Sequence, residues 1–92
     1  MNDMARIFAH WPAAIPRCGT VVTAHGEAIQ FSEYMMTNEL VLLIRPQPDV
    51  NGTRRVIMKL SDIIGIRITE AIDPARFTAM GFQMNTAAVA AH

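Results

Sequence analysis

The sequence predicts a mainly β protein: a small five-stranded barrel behind one short helix. Three observations predict it. Residues 19–69 form an almost unbroken run of strand-like segments, several alternating apolar and polar positions with the period of two that a pleated strand imposes. The segments are joined by short turn signals, His25-Gly26-Glu27, Thr37-Asn38-Glu39, Asn51-Gly52 and Ser61-Asp62. The chain has 92 residues, enough for one domain, expected over residues 1–81 with a partly disordered tail over 82–92.

The elements follow in order. Asn2 or Asp3 can cap a helix on which Met4, Ile7, Phe8 and Trp11 share one face, and Pro12 stops it. So short a helix needs a surface to dock on, and the barrel core is the expected one. Residues 13–16 form an extended linker. The first strand covers residues 19–25. The second covers 28–36, and its apolar phase slips after Ser32, which predicts a bulge or sharp bend. The third, Leu40-Val41-Leu42-Leu43-Ile44, is apolar on both faces and predicts a strand covered on both sides. After the loop 45–53, the fourth strand (54–60) turns Val56, Met58 and Leu60 inward. The fifth (63–69) turns Ile64, Ile66 and Ile68 inward and Ile63, Gly65 and Arg67 outward. Asp73-Pro74 caps a short helical segment over 74–80, closed by Gly81.

Composition bounds the function. Hydrophobic residues make up 51% of the chain and charged residues 17%, against a usual charged share of about 25%. A small domain has much surface to cover, so an apolar excess implies apolar surface buried against other chains. A homo-oligomer and a protein partner are therefore expected. The formal net charge is zero, which disfavours nucleic acid and leaves room only for a local basic face. One cysteine, Cys18, cannot form an internal disulfide and fits a reducing compartment. Residues 1–10 lack a basic stretch followed by an apolar one, and the run Leu40 to Ile44 is too short to span a bilayer. A cytoplasmic protein off the membrane is the expectation.

The segments Gly19-Thr20-Val21-Val22, Gly26-Glu27-Ala28-Ile29 and Leu40-Val41-Leu42-Leu43 fit the first three strands of a known pattern. The best match is Val56-Ile57-Met58-Lys59-Leu60-Ser61-Asp62-Ile63-Ile64-Gly65-Ile66, two strands joined by a very short turn. Over residues 2–69 this order resembles the Sm-like family; an SH3-like barrel of another lineage would give much the same string. The resemblance implies a ring in which the fourth strand of one protomer pairs with the fifth of the next. It places Arg55, Ile57, Lys59, Ile63 and Arg67 at the oligomer interface. It also implies an RNA-binding alternative carried by Asn38, Arg55, Lys59 and Arg67. The family's acidic residue in the second-to-third-strand turn has no counterpart beside Asn38, and no histidine follows Lys59.

No catalytic constellation stands out. His10, His25 and His92 fall in a helix, a turn and the tail, without metal-ligand spacing. Arg17 precedes Cys18, but a lone cysteine at a strand entrance is usually packing. No Ser-His-Asp set, carboxylate pair or phosphate loop is evident. The expectation is a non-enzymatic, self-assembling β module with no cofactor and no metal. Base-stacking platforms are scarce, Tyr34 and Trp11 being the aromatic residues not assigned to the core.

Overall fold

The computed structural model describes residues 3–84. Asp3 opens helix α1 (Asp3–Ala9), where its carboxylate meets Arg6 one turn on at 3.3 Å. The helix buries Ala5 and Phe8, with Met4 and Trp11 packed beside them. It ends two residues before Trp11, whose indole N–H donates to the carbonyls of Ile15 and Pro16. Ile15, in the segment expected to be a plain linker, is fully buried.

Six strands follow: β1 (Gly19–Thr23), β2 (Ala28–Phe31), β3 (Glu33–Met36), β4 (Leu40–Ile44), β5 (Arg55–Lys59) and β6 (Ile63–Arg67). They form two three-stranded antiparallel sheets, ordered β2-β1-β6 and β3-β4-β5. This corrects the expected five-stranded barrel: the strands do not close, and among the described residues no ladder joins β5 to β6. The cause lies at two points. At Ser32 the expected second strand breaks into two. Phe31 still pairs with Gly19 of β1, whereas the Ser32 amide donates to the Ile44 carbonyl of β4 at 2.8 Å. The phase slip in the sequence is therefore a change of sheet. At the other end a 3-10 turn, Leu60–Asp62, carries the chain from β5 in one sheet to β6 in the other.

The core lies between the sheets and under α1. Phe8, Phe31, Tyr34, Val21, Val41, Leu43, Leu60 and Ile63 form it. Each such side chain contributes about 1.5–3 kcal/mol by leaving water. Phe8, Trp11, Phe31 and Tyr34 make one aromatic cluster, with Phe8 edge-on to Tyr34 at 4.8 Å between ring centres. The two residues expected to be free stacking platforms are thus committed to packing.

Two further expectations change. In β6 the inward and outward residues are reversed at the start: Ile63 is 4% exposed and Ile64 63% exposed. Val22 faces Gly65 but Thr23 faces Ile63, so Ile64 is the extra residue of a bulge and the alternation skips there. In β4 only one face is covered. Val41 and Leu43 are buried, but Leu42 and Ile44 are half-buried and Leu40 is exposed. The C-terminal segment follows its signals. Asp73 caps the 3-10 helix Pro74–Met80 by accepting from the Ala75 amide, and Gly81 ends it at φ 99°. Phe82 and Met84 are exposed. The rest of the expected disordered tail, residues 85–92, lies outside the described residues.

Candidate functional site

Four strands, β2, β3, β5 and β6, lie at sheet edges, and the edges of β5 and β6 are the candidate sites for a partner: among the described residues no ladder covers either. On β5 the bonds at the two ends fix which backbone groups are free. Arg54 accepts from the Arg45 amide and the Leu60 amide donates to Glu39. Residues 54, 56, 58 and 60 therefore turn their amides and carbonyls toward β4. Those of Arg55, Ile57 and Lys59 point away from the sheet. On β6 the same alternation turns Gly65 and Arg67 to β1 and leaves the backbone of Ile66 on the open edge. Among the described residues these backbone groups have no ladder partner, and the two edges are joined by the short turn Leu60–Asp62 yet belong to different sheets.

Beside the β6 edge runs an apolar groove of about 240 Å³. Met4, Ile7 and Trp11 come from the N-terminal segment, Ile66 and Ile68 from β6 and just beyond, and Phe77, Met80 and Phe82 from the C-terminal segment. Beside the β5 edge lies the outer face of the second sheet, where Met35, Leu40 and Ile57 are exposed. Its shallow depression is lined by Met35, Leu40, Leu42 and Ile57.

The expected site residues divide across this framework. Arg55, Ile57 and Lys59 are together on β5, side chains outward. Ile63 is buried in its own core and has no side chain to offer a neighbour. Arg67 is exposed, but on β6 of the other sheet. Arg55, Lys59 and Arg67 thus share no sheet face within one chain, because β5 and β6 do not pair. Asn38 sits exposed in the β3–β4 turn. His10 and His25 are exposed and far apart in the sequence; His92 lies outside the described residues. Among the described residues no three His, Cys, Asp or Glu side chains gather as a metal site, and no helix is long and apolar enough to cross a membrane.

One polar cluster was missed by sequence reasoning. Arg17 places its guanidinium 4.2 Å from the centre of the Tyr34 ring. Its Nε lies 2.8 Å from Glu33 Oε1, and its Nη2 donates to the Tyr34 carbonyl at 3.0 Å. Burial raises the Tyr34 pKa above 10.0, while Arg17 pulls against that rise. Strands β1 and β2 lie between Arg17 and these partners in the chain, so no local spacing announces the cluster. Its part is to anchor the linker to β3.

Comparison with known proteins gives no match: no family model fits the chain, and neither a curated protein nor a solved structure is significantly similar to it.

Proposed function

We propose that this protein is a non-enzymatic, self-assembling β module of the cytoplasm that presents its assembled surface to a protein partner. The observation that carries the proposal is the pair of open edges on β5 and β6. Among the described residues both strands carry backbone groups without a ladder partner, and the intervening turn keeps the two from satisfying each other. Pairing β5 of one copy with β6 of the next satisfies both, and repetition extends the assembly head to tail. The incoming strand also lays one face of side chains across the groove beside Ile66, which supplies the apolar burial the composition calls for.

Light scattering tests this. The expected mass is several times the 10.2 kDa of one chain. A monomer at micromolar concentration would remove the proposal. RNA is the less favoured partner, since Arg55 and Lys59 stand apart from Arg67 within one chain and the net charge is zero. Tight, salt-sensitive binding of a short U-rich or A-rich RNA, lost on replacing Arg55 and Lys59, would reverse that preference.

A further inference from the structure

The outer face of the β3-β4-β5 sheet carries an ordered pattern. Ladder register places Glu33, Ile44 and Arg55 in one row across the three strands. The next outward row is Met35, Leu42 and Ile57. In the third row Leu40 stands beside Lys59. Met35 and Ile57, on the two outer strands, are 64% and 66% exposed and flank the half-buried Leu42, so this row presents a continuous apolar strip to solvent. The acid of this pattern lies on the β3 side and both bases lie on the β5 side.

We propose that this face packs against the same face of a second copy, around a two-fold axis running along β4. Two sheets stack with their strands nearly aligned, about 10 Å apart. Two two-folds permit that stacking, and the charges choose between them. An axis across the strands keeps β5 over β5 and exchanges the outer rows, so Arg55 meets Lys59 of its partner, like against like. An axis along β4 exchanges β3 with β5 and keeps each row in place. Arg55 then meets Glu33 of the second copy, twice over by symmetry. Met35 meets Ile57, and Leu42 and Ile44 meet their own copies. The pattern is self-complementary in this one arrangement.

Glu33 is already paired with Arg17, but both of its contacts fall on Oε1 and its side chain remains 48% exposed. It retains acceptor capacity for a second guanidinium. Three short strands offer less than the roughly 800 Å² per partner of a standard interface. The pair is therefore weak and dissociates on dilution. It differs from the edge pairing proposed above: the edge uses backbone groups of β5 and β6, whereas this face is centred on β4, an interior strand.

Charge exchange tests the arrangement, in a Lys59→Pro background that blocks the β5 edge so that failure of edge assembly does not mask the result. Sedimentation at about 100 µM and above should show a monomer–dimer equilibrium. Arg55→Glu alone should weaken it about tenfold, as should Glu33→Arg, because each puts like charges face to face. An equimolar mixture of the two variants should dimerise again. In the mixed pair one copy is acidic at both positions and the other basic at both, so opposite charges meet at each contact. Leu42→Lys should abolish the dimer while circular dichroism shows the fold intact. A folded monomer at every concentration, no recovery on mixing, or a Leu42→Lys dimer as strong as its parent would each overturn the proposal. Should Glu33→Arg fail to fold, a dimer unaffected by Arg55→Glu suffices to overturn it, and one weakened by both Arg55→Glu and Leu42→Lys supports it.

Discussion

The Tyr34 hydroxyl donates to the main-chain carbonyl of Phe8, tying β3 to the last turn of α1. That carbonyl lies where a helix has no internal partner for it, and Tyr34 supplies one in the middle of the core. One side chain thus satisfies the helix end, packs edge-on to Phe8 and carries Arg17 over its ring. The short helix persists because it is fastened in this way; seven residues would not hold a helix alone.

Tyr34→Phe keeps the ring and removes the donor, leaving the Phe8 carbonyl unsatisfied. The expected cost is about 1–3 kcal/mol. For a domain of this size a loss of about 1 kcal/mol lowers Tm by about 4–8 °C. The same variant has a pH signature. Burial raises the folded pKa of Tyr34 above its ordinary 10.0. Its contribution is fully present below the ordinary value and is lost as pH rises through the higher folded value. Wild type should therefore lose more stability than Tyr34→Phe between neutral pH and the alkaline range. Parallel pH dependences in urea melts of the two proteins would contradict this.

Gly19 permits a close approach. A Cβ built there lies 2.7 Å from the Arg67 carbonyl of the neighbouring strand, a backbone atom that cannot swing away. Gly19→Ala must therefore push β6 from β1 where their ladder begins. A cost of about 1–3 kcal/mol is expected, in the range of overpacked cores. Gly65→Ala is the control, because its Cβ meets nothing within 4 Å. Thermal melts should separate the two, with Gly19→Ala clearly the lower; equal melting temperatures would show that the strands part without cost.

Most of the strand content was legible in the sequence, because period-two alternation and turn residues are local signals. Gly26 and Gly52 do take the positive φ their turns require, 87° and 82°. The sheet assignment was less legible. The phase slip after Ser32 marked the right residue, but a bend within a sheet and a passage between sheets leave the same mark. Ile63 and Ile64 were exchanged because a one-residue bulge breaks the alternation, so the phase that fits Ile66 and Arg67 is wrong on the other side of it. In the candidate site, Arg55, Ile57 and Lys59 were readable as the outward half of an alternating strand. The Arg17–Glu33–Tyr34 cluster was not, since it joins a linker to a strand across a chain separation that only folding closes.

The β4–β5 loop is ordered by one carboxylate. Asp49 Oδ1 accepts from the amides of Asn51 and Thr53 at 2.8 and 2.9 Å, and these bonds hold its pKa below 3.8. Its ordering effect is present above the ordinary carboxylate value and is lost as pH falls through the lower folded value. Hydrogen exchange at Asn51 and Thr53, corrected for intrinsic rates, should therefore lose protection in strong acid. Asp49→Ala should show the same loss at neutral pH, with β4 and β5 still protected. Unchanged protection in that variant would assign the loop's order to Pro46 and Pro48 instead.

Edge pairing can be blocked without disturbing the chain's own sheet. Lys59 closes β5 with its amide on the open side, and its φ is −72°, within the range proline imposes. Met58 before it is extended strand, as a residue preceding proline prefers to be. Lys59→Pro therefore removes one donor from the free edge and sets a ring in the path of an incoming strand, while every β4–β5 hydrogen bond survives. The variant should match wild type by circular dichroism and fall from a higher oligomer to monomer, or to the weak face-to-face dimer at high concentration. Lys59→Ala removes the charge but keeps the amide and should assemble as wild type does. That contrast separates a backbone ladder from a side-chain salt link: assembly lost equally in Lys59→Ala and Lys59→Pro would mean that the ammonium group, not the strand edge, holds the copies together, and assembly retained in Lys59→Pro would show that the β5 edge is not the joint.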